Sequence, residues 1–275
     1  MAINIVREKF SNFGELISIT SARPNNKYMK NKHSSMDEEY DNNGWHGTKN
    51  WKTACDMLGT GYLEILKSMK TQIDQQNKLN AKFVESIDRP RPSIGVQGYC
   101  PCVPNAIRNL PQSMININRK PQKRKTLHIL YSIDGNGNRD TAYFTRAGAA
   151  LLSAIEIIEK GGIQTKIDLN FMAIVSGNEV IFPTINIKNY GERYSIQKIS
   201  FPIAHPSMLR RIGFKWLETS PDIQNTYSGY GSAVPYEELE KALDIKDPKT
   251  YLINTDWIER NGYSVEKILK KFEVI

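Results

Sequence analysis

From residue 51 to residue 87, apolar side chains recur at steps of three and four: Trp51, Ala54, Leu58, Tyr62, Ile65, Met69, Ile73, Phe83 and Ile87. That spacing predicts one face of a helical segment. Thr48 or Asn50 supplies the cap. Gly59 and Gly61 interrupt the pattern, so two helices with a break are expected. The run Arg89-Pro90-Arg91-Pro92 ends it, because a residue before proline avoids the helical region. A short helix at 105 to 109 follows Pro104, a favoured first-turn residue.

The pattern changes after residue 120. Leu127, Ile129, Tyr131 and Ile133 alternate with His128, Leu130 and Ser132, and both sets are largely apolar. This predicts a strand buried on both faces. Asp140 or Thr141 caps a helix running to Lys160, closed by Gly161-Gly162. Its small face, Ala147-Gly148-Ala149-Ala150, suits a helix lying close to a sheet. A second strand is expected over 165 to 175, a turn at Ser176-Gly177-Asn178, and a third strand over 179 to 187. Helices follow at 195 to 204 and 206 to 218, and another starts at Pro235. The stretch 250 to 256, TYLINTD, reads as a fourth strand, and SVEKILKKF as the last helix.

A strand, helix, strand unit requires a parallel pair, and the following hairpin adds an antiparallel edge strand. The expected fold class is therefore α/β, a three-layer sandwich with a mostly parallel sheet and one antiparallel edge strand. It occupies 121–275, behind a mainly helical N-terminal region at 1–120. Ligands of such sheets sit beyond the carboxyl ends of the strands. Two loops reach that end: Asp134-Gly135-Asn136-Gly137-Asn138 and Asn254-Thr255-Asp256.

Composition narrows the chemistry. Cys55, Cys100 and Cys102 are too few for a disulfide framework or a closed zinc tetrahedron. No stretch approaches the ~20 apolar residues of a membrane span, and the first residues lack a secretory apolar core. A cytoplasmic protein without a membrane partner is expected. The formal net charge is +8, which favours acidic partners. The densest basic cluster, Arg119, Lys120, Lys123, Arg124 and Lys125, is the candidate nucleic-acid contact; its other reading is a solvated linker.

The loop at 134 to 140, DGNGNRD, is no phosphate loop, because no Lys follows it and the glycine spacing is wrong. Nor is it an EF-hand, since Arg139 stands where Gly is needed and Thr145 where Glu is needed. Asp134, Asn136 and Asn138, with Thr255-Asp256 across the sheet, resemble the von Willebrand factor A-type domain, which carries Asp-x-Ser-x-Ser after its first strand and Thr-Asp after its fourth. The resemblance implies a Mg²⁺ or Ca²⁺ site at Asp134, Asn136, Asn138 and Asp256, with asparagine replacing both serines. Ser195 or Thr184 would add a hydroxyl. Otherwise these residues only fill a turn and cap a helix.

In the motif His205-Pro206-Ser207-Met208-Leu209-Arg210-Arg211, a functional reading makes His205 an acid or base and the arginines an anion clamp. A plain reading makes His205 a helix cap and the arginines a solvated or salt-bridged face. His33, His46 and His128 have no evident partner in the sequence. Together with the segment from Trp45 to Trp51, Val103-Pro104-Asn105-Ala106-Ile107 and the helix RAGAALLSAIE, this motif resembles a family found mostly in tailed-bacteriophage genomes. The resemblance implies a phage origin and no activity. No nucleophile, base and orienter can be assembled from the sequence. The expected function is a non-enzymatic interaction protein with a protein partner at the strand-end loops, in the host cytoplasm or packaged in the virion. Its rivals are a nucleic-acid-binding accessory factor, a virion component and a metal-dependent hydrolase.

Overall fold

The computed structural model describes residues 4–27, 34, 44–75, 92–117, 125–171, 173–175, 179–221, 236–243, 245 and 247–275. The central sheet has strand order β1-β8-β6-β5-β9. Here β1 is Asn4–Phe10, β5 is Thr126–Ser132, β6 is Gln164–Asn170, β8 is Glu179–Lys188 and β9 is Thr250–Asn254. Strands β5, β6 and β9 are mutually parallel; β8 is antiparallel to β6, and β1 runs parallel to β8. The fold is α/β with a mostly parallel central sheet.

Two features differ from the sequence expectation. The antiparallel strand is not at the edge, because β1 pairs along its outer side from Asn4↔Glu179 to Phe10↔Ile185. Phe10, Leu16, Trp51, Ala54, Ile65 and Met69 belong to the same core cluster as the strands and helices beyond 125. The predicted strand over 165 to 175 is split into β6 and a three-residue β7, Ala173–Val175, which pairs with β8.

The helices are α1 (Phe13–Ala22), α2 (Trp51–Thr60), α3 (Ile65–Gln75), α4 (Val103–Ile107), α5 (Thr141–Lys160), α6 (Ile196–Ala204), α7 (Phe214–Thr219), α8 (Tyr236–Leu243), α9 (Thr255–Arg260) and α10 (Val265–Lys271). A π-helical turn, Met208–Gly213, leads into α7. Caps fix several starts. The Asn50 side chain accepts from Thr53 N at 2.8 Å, so Asn50 rather than Thr48 begins α2. Asp140 accepts from Tyr143 N at 2.8 Å to begin α5. The last part of the predicted helical segment, 76 to 87, lies outside the described residues.

Side-chain contacts place this helical layer on one face of the sheet. Tyr131 Oη of β5 donates to Ile203 O of α6 at 3.1 Å. Phe171, just past β6, meets Trp216 of α7 at 5.5 Å between ring centroids. Tyr251 of β9 meets Phe272, just past α10, at 5.7 Å. Glu8 of β1 accepts from Trp216 Nε1 at 2.6 Å. Alternate residues along a strand face opposite ways, so His128, Lys166, Asp168, Asn186 and Thr250 line the other face. These contacts lie on one face; in addition, Tyr236 of α8 donates to Leu252 O of β9 at 3.0 Å and shares a cleft with Thr250, a residue of the other face. At Gly148 the small face of α5 meets a helix: a Cβ there would stand 2.2 Å from Ala204 Cβ of α6.

Residues 92–117 form a separate small sheet of order β2-β4-β3, with β2 Pro92–Gly95, β3 Cys100–Pro101 and β4 Met114–Ile117. No helix among the described residues is long and apolar enough to cross a membrane.

Candidate functional site

The two strand-end loops meet. Asp134 follows β5 and is buried. Its Oδ2 accepts from Asn254 Nδ2 at 2.8 Å, and its Oδ1 from the backbone N of Asp256 at 3.2 Å. Asp134 N donates to Thr255 Oγ1 at 3.2 Å. Asn254 is also the cap of α9, its Oδ1 accepting from Trp257 N at 2.8 Å. Hence Thr255 and Asp256 begin a helix instead of ending a strand. Burial, with a smaller contribution from the Asp256 charge, raises the Asp134 carboxyl to about 7 against the hydrogen bonds that favour its ionised form.

The Asp256 carboxylate has a partner on its own helix. Its Oδ2 is 2.8 Å from Arg260 Nε. Asn136 and Asn138 are exposed at the loop tip. Thr184 sits within β8 opposite Asn170, and Ser195 is exposed at the start of α6. Among the described residues no group of three or more His, Cys, Asp or Glu could hold a metal ion. As arranged, the expected ligand set offers one buried carboxylate already accepting two N–H donors, and the second carboxylate is held by an arginine.

The loop is held from beneath. Trp45 Nε1 donates to Gly137 O at 2.7 Å. Arg210 donates to Trp45 O from Nη1 and to Arg139 O from Nη2, each at 2.5 Å. Its guanidinium lies 4.3 Å from the Trp45 ring centroid and 4.9 Å from that of Phe144. Arg139 itself forks onto Glu259 of α9 at 2.7 and 2.5 Å. Segments at 45, 134 to 140, 210 and 254 to 259 thus converge on one end of the sheet.

The arginines of the 205 to 211 motif are not a solvated face. Arg210 is 1% exposed and Arg211 0%. A π-helical turn widens the helix by one residue per turn, and here both consecutive arginines are buried. Arg211 donates to Thr48 Oγ1 at 2.9 Å, Thr48 O at 2.7 Å, Lys49 O at 3.0 Å and Ser34 O at 3.1 Å. Ser207 Oγ donates to His46 O at 2.5 Å and bonds Thr48 Oγ1 at 2.8 Å. His205 packs between Phe201 and Tyr62, and burial depresses it to about 4, so it is neutral at physiological pH. Gly47, at φ 78°, lets the chain pass here: a Cβ would lie 2.6 Å from Pro206 Cγ. The arginines clamp backbone carbonyls rather than an anion.

Of the candidate nucleic-acid residues, Arg119, Lys120, Lys123 and Arg124 lie outside the described residues; Lys125 is exposed just before β5. One constellation escaped the sequence reading. His128 Nε2 lies 2.7 Å from Asp168 Oδ2 and His128 Nδ1 3.0 Å from Thr250 Oγ1. Asp168 also takes Asn186 Nδ2 at 2.8 Å and Lys166 Nζ at 3.1 Å. Burial pushes the Asp168 carboxyl up, but these bonds outweigh it and hold the group below its ordinary value. Thr250 donates to Asp247 Oδ2 at 3.1 Å and lines a cleft of about 370 Å³ with Tyr236 and Lys271. With its hydroxyl directed to Asp247, the row is a cross-strand polar network. Strand register was the missing signal, since His128↔Thr250 and Leu130↔Asp168 pair residues far apart in sequence.

The chain matches, over residues 1–275, the family model described as a domain of unknown function (DUF7192). No curated protein matches it, and no solved structure does.

Proposed function

This chain belongs to the DUF7192 family, and we propose that it is a phage-encoded, non-enzymatic interaction protein that binds a protein partner at the strand-end loops of a von Willebrand A-like sheet. The strand order β8-β6-β5-β9, with β8 antiparallel, supports the likeness of topology. The observation that carries the reading is the Arg210 clamp. The buried guanidinium holds Trp45 O and Arg139 O, the Trp45 indole holds Gly137 O, and Asn136 and Asn138 on either side of Gly137 face solvent. A loop tip ordered from below and exposed above is preorganised for binding, which lowers the ordering cost of association. Asparagine offers both a donor and an acceptor without a charge to desolvate.

The experiment compares wild type with Asn136→Arg/Asn138→Arg in affinity capture from infected or producing cells. The variant should lose a specific co-purifying protein while its melting temperature stays unchanged. Retention of the same partners by both proteins removes the strand-end loops from the interface.

A further inference from the structure

Residues 92–117 differ from the rest of the chain in two ways at once. None of residues 92–116 is buried, although β2, β3 and β4 are hydrogen-bonded into a sheet. The exposed apolar side chains are Ile94, Val96, Tyr99, Val103, Ile107 and Leu110, with Val96 and Tyr99 at 69% and Ile107 at 77%. Antiparallel register puts Ile94 and Cys100 on either side of Ile115, so these three share one sheet face. Exposed apolar surface gathered in this way marks a binding surface.

The second difference is charge. Within 92–117 only Arg108 is charged. From 89 to 125 the sequence holds eight Lys and Arg and no Asp or Glu, so this stretch equals the whole +8 excess of the chain. In sequence these cations flank the module: Arg91 precedes Pro92 directly, and Arg119 is two residues beyond Ile117.

We propose that residues 92–117 dock on an anionic lipid bilayer surface, with Val96, Tyr99 and Ile107 entering the headgroup region and Arg108, Lys125 and the cations that flank the module in sequence drawn to the lipid charge. This is a second surface, separate from the strand-end loops. A bilayer accepts single aliphatic side chains projecting from turns and a helix, without the shaped pocket a protein anchor needs. Nucleic acid would leave the aliphatic side chains without a role, because single-strand binders use aromatic stacking and only Tyr99 is aromatic in the exposed set. A second copy would set one basic cluster against another. Lack of a spanning segment led to the expectation of no membrane partner, but surface docking needs no span.

The test is flotation of the full chain with vesicles of phosphatidylcholine alone and of phosphatidylcholine containing phosphatidylglycerol. The protein should float only with the anionic vesicles and be released between about 50 and 500 mM salt as charge is screened. Val96→Asp/Ile107→Asp should cut binding at least tenfold with an unchanged melting temperature. Arg108→Glu/Lys125→Glu should weaken it by a similar factor, at roughly fivefold per surface cation. Failure to float with either vesicle overturns the proposal. So does flotation that the Val96→Asp/Ile107→Asp variant retains in full. Binding to an oligonucleotide without flotation identifies a polyanion site instead. A dimer in sedimentation that the same variant abolishes, again without flotation, identifies a self-association face.

Discussion

Asn254 uses both ends of its amide: Nδ2 donates to Asp134 Oδ2 at 2.8 Å while Oδ1 accepts from Trp257 N at 2.8 Å. The cap fixes which way the amide points, so the donor must face the carboxylate. One side chain thereby ties the end of β5 to the start of α9. Asn254→Asp keeps the cap, since aspartate caps helices as well as asparagine, but it sets a second carboxylate against Asp134. The expected loss is about 3 kcal/mol near neutral pH, from a lost bond and a buried charge repulsion. Chemical denaturation should show the deficit shrinking in acid. A constant deficit across pH would mean that the tie contributes only through the cap.

The Asp134 carboxyl makes a second prediction. Its folded value of about 7 lies above the unfolded value of 3.8, so the folded state binds the extra proton between those values. Stability therefore falls as pH rises from about 4 to about 7, by an amount on the order of 4 kcal/mol from this group. Asp168 is shifted downward, and its contribution is lost only as pH falls below the ordinary carboxylate range. Urea midpoints at several pH values from mildly acidic to neutral should decline toward neutrality, and Asp134→Asn should flatten the slope. A slope that survives in Asp134→Asn assigns the pH dependence to other groups.

Gly148 and Ala204 set the distance between α5 and α6. An alanine at 148 would put its Cβ 2.2 Å from Ala204 Cβ and 2.4 Å from Ala204 Cα. The helix-propensity gain of about 1 kcal/mol is smaller than the overpacking cost of about 1 to 3 kcal/mol or more. Gly148→Ala should lower the melting temperature, and Ala204→Gly in the same chain should recover part of the loss. Simple addition of the two single effects would show that the helices separate rather than clash.

The series of strands and helices after residue 125 was legible because its cues are local: period-two alternation in β5, small residues and an Asp140 cap in α5, Gly-Gly at its end. What was missed depends on distant pairing. The charges of Arg7, Glu8 and Lys9 hide the strand character of β1, which is set by its register with β8. Asp134 and the 254 to 256 segment were brought together correctly, but Asn254 proved to be the cap, which moved Thr255 and Asp256 into a helix. The arginines at 210 and 211 read as polar surface because arginine is almost never fully buried unless its donors are paired. Their partners are carbonyls of Trp45, Thr48 and Ser34, more than 160 residues earlier.

Arg210 joins the most specific sequence motif to the loop tip. Its two amino groups satisfy Trp45 O and Arg139 O, and its guanidinium is stacked near Trp45 and Phe144. Burial lowers the group to about 10, still charged at neutral pH. Arg210→Met preserves the stem's packing but strands both carbonyls, at a cost of about 2 to 4 kcal/mol. Arg210→Lys should not restore it, because an ammonium cannot reproduce the planar fork that serves two carbonyls while stacking on a ring. Amide hydrogen exchange is the decisive measurement. In Arg210→Met the amides of Gly137 to Arg139 and of Trp45 should exchange at least tenfold faster, while those of β5 and β6 keep their order of protection. If exchange accelerates equally throughout the sheet, Arg210 supports global stability and the loop tip is not separately clamped.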